Sequence, residues 1–364
     1  MKIYSKALME NLKAISGVVC DFIYIDTTDP SNNALYISTD IQAIKVPLEI
    51  TDVAEDEKNV YAINKVEFCH LIPYVTEFLV LNGDYSYNAN DGAIKGKFEK
   101  NEGLAEELES RKSLFDNEDT YEEFAEITPS IMEKITSGSI FVMADAIKPS
   151  ERYLDIKDGK VFSHSKMRIY LNDIDVEHQG LLSSEVIKSI QSLGVGTVVK
   201  NNNDSLLLTN AQRSIFIYQS MPNDVDFHPV LEEKFSAKIE QVKTFNKITF
   251  NIEELRGKLD YLSFYCGRNP NNMANLVVED GKVLLSADEN TKVEVPIVDI
   301  AKTEEFDEMS VPFDCNTMQL ICSKVGKECE NLSWFVSSEN DKKLMLLQFG
   351  ESNEVVIIAK LNLQ

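Results

Sequence analysis

Residues 247–262 read KITFNIEELRGKLDYL, and their reading decides the fold. A short β-branched and aromatic run, KITF, stops at Asn251. The Asn251 side-chain oxygen can accept a bond from a free N–H of a first helical turn. Glu254, three residues on, completes a capping-box pattern with Asn in place of Ser or Thr. Leu255, Leu259 and Leu262 then recur on one face at helical spacing. The stretch is a strand, a cap and a one-sided helix.

The same phrase occurs six times in the chain. MKIY is followed by Ser5 and KALMENLKAIS, VYAI by Asn64 and KVEFCHLIPYV, and FAEI by Thr128 and PSIMEKI. GLL is followed by Ser183 and SEVIKSIQSL, KITF by Asn251, and VPF by Asp314 and CNTMQLICSKVG. The caps recur at intervals of roughly sixty residues, a period that marks repeated supersecondary units. Pro129 occupies a first helical position, where its missing N–H costs nothing. Pro73 falls inside the second helical phrase and predicts a kink or early end there.

Between the helices the text is strand-like. ALYISTDIQAIKVPLEI, GKVFSHSKMRIYLNDI and GKVLLSADENTKVEVPIVDI occupy the same place after the first, third and fifth helices. Asp91-Gly92, Asp158-Gly159 and Asp280-Gly281 punctuate the strands as turns. Six half-repeats pair into three domains, 1–122, 123–244 and 245–364. The fold class is α+β, with antiparallel sheets and two helices per domain packed on one face. The acidic stretch 99–123 reads as a solvated linker with one helical turn at most. Pro222 and Pro229 mark the second boundary, in 222–235.

Bulk properties narrow the function. The chain has 364 residues, 43% of them hydrophobic, and no apolar run of membrane-spanning length. The first residues, MKIYSKALMENLK, lack the apolar core of a signal peptide, so a soluble cytoplasmic protein is expected. Cys20, Cys69, Cys266, Cys315, Cys322 and Cys329 form no CxxC pair. Cys315, Cys322 and Cys329, spaced by sevens, fall near one face if that segment is helical, and read as small apolar residues in a reduced interior. His70, His164, His178 and His228 show no metal-binding spacing, and no phosphate-cradling glycine loop or nucleophile elbow is present. No cofactor is expected, and repeated units without a catalytic motif suit a scaffold better than an enzyme.

The net charge of −24 argues against nucleic acid if it is spread evenly. The helical phrases nevertheless carry Lys6, Lys13, Lys65, Lys134, Lys188, Arg256, Lys258, Lys324 and Lys327. Lys6 and Lys13 share a face turned from Leu8 and Ile15. A basic helical side with acidic sheets and linkers would contact phosphates without reading bases. Glu10, Glu133 and Asp260 lie on the same helices and dilute that charge.

At this point the chain resembles the bacterial and phage DNA polymerase sliding clamps of the β type. FAEITPSIMEKITSGSIFVMADAIKPSERYLDIKDGKVFSHSKMRIYLND resembles the start of their middle domain, VPFDCNTMQLICSKVG their last helix, and EVVIIAKLNLQ their final strand and tail. The resemblance implies three clamp domains per chain closing into a six-domain ring as a head-to-tail homodimer around double-stranded DNA. It implies a DNA polymerase tethered to the ring and a separate ATP-dependent clamp loader. It places Leu71, Ile72 and Phe98 of one chain against Phe264 and Tyr265 of the next. It matches KPSERY to a DNA-touching loop, adding Lys148, Arg152 and Tyr153. It puts a partner-peptide cleft at Tyr153, Leu154, Ser163, Lys166, Met167, Arg168, Ile169, Ile358, Ala359 and Leu361.

Two stretches depart from the family. The usual Met-Pro-Met-Arg-Leu tail is replaced by the run at 359–363, AKLNL, and the usual Gly-His-Arg-Leu by the run at 165–169, SKMRI. A partner motif other than the standard bacterial one, and a divergent phage member, are therefore expected. The alternative from another class is a repeat-built structural or adaptor protein, such as a virion component, that does not encircle DNA.

Overall fold

The computed structural model describes residues 1–54, 59–100, 108, 112–115, 120–165, 168–202, 204–218, 228–301, 309–337, 339 and 343–361. The first repeat runs β1 (Lys2–Tyr4), α1 (Ser5–Gly17), β2 (Phe22–Asp26), β3 (Ala34–Ser38), β4 (Gln42–Pro47), β5 (Ile50–Thr51) and β6 (Val60–Asn64). It ends with α2 (Lys65–Leu71), β7 (Phe78–Leu81), β8 (Ser86–Ala89) and β9 (Ile94–Lys97). The second runs β10 (Glu122–Glu126), α3 (Pro129–Ser139), β11 (Tyr153–Lys157), β12 (Lys160–Ser165), β13 (Arg168–Asp173) and β14 (Gly180–Ser183). It ends with α4 (Ser184–Leu193), β15 (Val198–Asn201), β16 (Leu206–Thr209) and β17 (Ser214–Ile217). After α5 (His228–Lys243) come β18 (Asn246–Asn251), α6 (Ile252–Cys266), β19 (Met273–Glu279), β20 (Lys282–Ser286), β21 (Lys292–Glu294) and β22 (Ile297–Ala301). The third repeat ends with β23 (Met309–Asp314), α7 (Cys315–Lys324), β24 (Asn331–Val336), β25 (Leu344–Phe349) and β26 (Val355–Ala359).

The caps act where the sequence places most of them. Asn64 accepts from the N–H groups of Val66 and Glu67, Asn251 from those of Glu253 and Glu254, and Asp314 from that of Thr317. Ser5 is a correction: it is the first residue of α1, and its hydroxyl instead donates to the carbonyl of Glu77 at 3.0 Å. Pro73 ends α2 as expected, in a 3-10 turn over Ile72–Tyr74. The cysteine row is also corrected. Cys315 and Cys322 are buried on α7, but Cys329 lies beyond the helix.

The strands form four antiparallel sheets, and two of them join successive repeats. An eight-stranded sheet runs β10-β15-β16-β17-β4-β3-β2-β6, and a nine-stranded one runs β14-β11-β12-β13-β26-β25-β24-β18-β22. In the first joint β17 pairs with β4, Ser214 opposite Lys45; in the second β26 pairs with β13, Ile358 opposite Arg168. A five-stranded sheet, β5-β1-β7-β8-β9, and a four-stranded one, β21-β20-β19-β23, remain. The chain gathers into two compact units, residues 1–128 with 188–221 and residues 129–187 with 222–364. Each unit holds one joint sheet and one smaller sheet.

In the first unit, Arg213 lies buried between two helices. Its guanidinium donates to Asn11 Oδ1 on α1 at 3.3 Å, and to the Ser192 carbonyl and, at 2.6 Å, hydroxyl on α4. Alternation turns Phe216 to the opposite face, where it meets Phe115 at 6.3 Å. That face is covered by Leu108 and Phe115, packed on Tyr24, Tyr36, Ala43, Leu207 and Phe216. The stretch 99–123 is therefore not a solvated linker: its apolar residues finish a core, and Lys112 reaches the buried Asp26 at 2.6 Å. Arg213→Ala should lower stability by about 3 kcal/mol in urea unfolding, because it strips charged hydrogen bonds and leaves the buried Asn11 side-chain carbonyl oxygen without its guanidinium donor.

Candidate functional site

In the second unit, α3 packs on one face of the nine-stranded sheet. Gly138 permits this approach, since a Cβ there would stand 2.4 Å from Leu154 Cδ1 and 3.2 Å from the Tyr170 ring. Ser163 donates to the Gly138 carbonyl at 2.8 Å. Leu154, Ser163 and Tyr170 thus point toward the helices. Strand alternation turns Phe162, His164, Ile169 and Leu171 to the opposite, outer face.

That outer face carries a groove, and α5 lies in it. Ile239, Val242 and Phe245 pack with Phe335, Leu346, Val355 and Ile357, flanked by Ile169, Leu171 and Leu344. Phe235 stacks on Phe162 at 5.1 Å and lies 6.1 Å from the His164 ring. His164 Nε2 is buried without a hydrogen-bond partner among the described residues. Burial, with a smaller contribution from Lys148, holds its pKa below the ordinary histidine value, against Glu151, which raises it.

The predicted cleft residues therefore divide. Ile169 faces the groove, and so, by alternation with Ile357, does Ala359. Leu154 and Ser163 are corrected to the helix face, and Ile358 follows them by alternation. Arg168 turns to Asp314, the α7 cap, at 3.5 Å. Tyr153 is half-buried at the start of β11, and the Leu361 N–H bonds to the Pro312 carbonyl at 3.2 Å. Lys166 and Met167 lie outside the described residues. Phe162, His164, Leu171, Val355 and Ile357, outside the expected set, also lie on the groove face. The two-residue period of β12, β13 and β26 is the signal that separates the faces.

The basic residues divide as well. Lys6, Lys13, Lys188 and Lys324 are exposed on helices, with no side-chain partner among the described residues. Lys6 and Lys13 lie opposite the buried Leu8 and Ile15 of α1, with Glu10 exposed between them. Lys148, Arg152 and Lys327 are exposed on loops, Arg152 holding the Ala146 carbonyl at 2.6 Å; Lys134 and Lys258 are half-buried. Two expectations are corrected. Lys65 donates to the Ser16 and Val18 carbonyls at the end of α1. Arg256 donates to the Cys322 carbonyl at 2.7 Å and pairs with Glu253 at 2.5 Å. Both ammonium and guanidinium are spent on closing helix ends rather than offered to a ligand.

The expected subunit contacts receive a similar correction. Leu71, Ile72 and Phe98 are buried in their own core, with Phe98 4.5 Å from the Tyr87 ring. The exposed apolar residues around α2 are Val66 and Tyr74 instead. On α6, Phe264 is 70% exposed and Tyr261 52%, with Tyr265 5.2 Å from Tyr261. β9 and β21 each end a sheet with one side unpaired among the described strands.

Three strand–helix repeats sharing joint antiparallel sheets define the fold class of the sliding clamps. Over its whole length the chain has the fold of the β subunit of bacterial DNA polymerase III. It is similar to a putative DNA polymerase III β subunit from Eubacterium rectale, with TM-score 0.73 and 13% identity over 100% of both chains. It is equally similar to the Helicobacter pylori β clamp bound to a DNA ligase peptide, with TM-score 0.73 and 13% identity over 100% of both chains. The Streptococcus pneumoniae DNA polymerase III β chain gives 0.71 and 12% over 100% of this chain and 99% of that one. No protein-family model matches the sequence, and no curated protein sequence matches it. No helix among the described residues is long and apolar enough to cross a membrane.

Proposed function

We propose that the protein is a DNA sliding clamp, a homodimeric ring that encircles duplex DNA and tethers a polymerase. The observation that carries this reading is an unfinished repeat. Each joint pairs the last strand of one repeat with the third strand after the first helix of the repeat before it: β17 with β4, then β26 with β13. The same rule next calls for β9 of one copy against β21 of another. A five-stranded and a four-stranded sheet would then merge into nine strands, as in the second joint. The helices obey the same rule. α1 meets α4 through Arg213, and the Ser137 hydroxyl of α3 bonds to the Lys324 carbonyl at the end of α7. By succession α6 should meet α2 of a second copy, which brings Tyr261 and Phe264 toward Val66 and Tyr74.

A pairing between unlike edges must close by rotation or grow into a filament. Three repeats per chain, with domains at 1–122, 123–244 and 245–364, close as a dimer of six. A closed ring holds DNA by topology, so its phosphate contacts can stay weak and sequence-blind. A tethered polymerase gains a high effective concentration at its template. An ATP-driven loader, a separate protein, would open the ring in the cytoplasm of a bacterium or of a phage's host. Other partners would dock by short apolar peptides in the outer groove.

Sedimentation velocity should give a species of twice 41.1 kDa, and particle images a closed ring wide enough for a double helix. A monomer, an open filament, or a dimer without a central opening would refute the proposal; the last would favour a repeat-built adaptor.

A further inference from the structure

We propose that the second joint is a pH-sensitive seam: a proton on Glu354 tightens α3 and β26 against β13, and its loss loosens them. The seam belongs to the chain itself and does not depend on ring formation. The chain buries carboxylates in two ways. Asp26, in the first unit, has a cation, since Lys112 lies 2.6 Å away. Glu354, just before β26, is 6% exposed and forms no ion pair among the described residues. Its Oε1 accepts from the Tyr170 hydroxyl at 3.0 Å, and Asn172 Nδ2 donates to that same hydroxyl at 3.3 Å. A buried carboxylate held by neutral donors alone costs more as an anion than as an acid.

The charges around Glu354 do not offset this cost. Tyr170 lies on the helix face of β13, its ring stacked on Phe141 at 6.0 Å, just after α3. α3 brings Glu133 and Lys134, both half-buried, to the same side. The turn after α7 adds Lys327, Glu328 and Cys329. Burial, and then the charges of Glu354, Glu133 and Glu328, push the Cys329 thiol up. Burial first, and then the Glu133 charge, raise the Glu354 carboxyl above its ordinary 4.5, against Tyr170, Lys134 and Asn172. Glu133 is raised as well, by burial and by Glu328, against Lys327 and Lys134. When both acids ionise, two like charges oppose each other across the packing of α3 on the sheet. The folded protein therefore holds the Glu354 proton more tightly than the unfolded chain does. The stability this proton lends is whole below the ordinary value of 4.5 and is lost as pH rises through the raised folded value. His164, on the opposite face of the same sheet, is depressed by burial and runs the other way, so the Glu354 contribution is read as a difference between variants.

The test is deuterium exchange, corrected for its intrinsic pH dependence, in the full chain and in Glu354→Gln, which keeps the acceptor oxygen and removes the charge. From about pH 5 to about pH 8, the opening constant over 131–139 and 355–359 should rise about three-fold or more in the unaltered protein. In E354Q it should stay within about two-fold of constant. Over 42–47 and 214–217, the strands of the first joint, it should stay level in both proteins. Glu133→Gln should cut the rise, because it removes the like charge that acts on Glu354 and leaves Glu354 in place. A rise of the same size in E354Q, or one equal over both joints, would overturn the proposal. Should E354Q not fold, E133Q carries the comparison, and an undiminished rise overturns the proposal in the same way.

Discussion

Tyr261→Asp with Phe264→Asp should turn the proposed dimer into monomers, with sedimentation shifting from twice 41.1 kDa to 41.1 kDa at micromolar protein. Both side chains are more than half exposed, so the substitution removes little from the chain's own core. The buried stripe of α6, Leu255, Leu259, Leu262 and Cys266, is untouched. Monomer unfolding should therefore change by no more than about 0.5 kcal/mol, as for surface sites. Large aromatic anchors at an interface centre are worth about 2–4 kcal/mol each. A head-to-tail ring of two has two identical interfaces, so each substitution acts twice. If the two anchors together cost each interface about 4 kcal/mol, the low end of that range, the dimer weakens by about 8, on the order of six decades in Kd. Val66→Asp, on the side assigned to α2, should weaken it too, though less, because Val buries less area than Phe. A dimer that survives Y261D/F264D would show that α6 is not where copies meet, whatever the free edges of β9 and β21 suggest.

How much of this was legible beforehand depended on the range of the signal. Asn64, Asn251 and Asp314 cap their helices because capping is decided within four residues, all visible in the sequence. Ser5 has the same chemistry but bonds to Glu77, seventy-two positions away, and nothing local announces that partner. The stretch 99–123 was misread because its charge hides the apolar residues that pack on the sheet. Leu108, Leu114 and Phe115 matter only once Tyr24, Tyr36 and Phe216 are known to need a cover. The groove shows a third kind of limit. Resemblance pointed to β11, β12, β13 and β26, but one residue of register decides which face a side chain occupies. Hence Ile169 and Leu171 share the face under α5, while Leu154, Ser163 and Ile358 lie on the other. Lys65 and Arg256 failed for a related reason: a cation on a helix shows its charge in sequence but not the carbonyl it already serves.

The four lysines without side-chain partners among the described residues give the remaining large effect. Replacing Lys6, Lys13, Lys188 and Lys324 by Ala should flatten the salt dependence of duplex binding while leaving the dimer mass unchanged. The reason lies in the charge balance. At −24 per chain the net field repels DNA, so attraction must come from a local excess of cations at short range, within a Debye length of about 10 Å in 0.1 M salt. Each ammonium that neutralises a phosphate releases a counterion and contributes about 0.9 to the slope of log K against log salt. The proposed dimer would carry each lysine twice. If half of them touch phosphate at any moment, which suits a ring that slides, the slope should fall by about 3 to 4 in fluorescence anisotropy titrations. Glu10 supplies an internal control, because it sits between Lys6 and Lys13 on the exposed face of α1. Glu10→Gln should move affinity the other way, strengthening binding at low salt. Lys65→Ala, by contrast, should cost helix stability rather than slope, since its ammonium already serves the end of α1. If the fourfold substitution leaves the slope where it was, the helices do not face DNA, and the basic residues on loops, Lys148, Arg152 and Lys327, must be tried in their place.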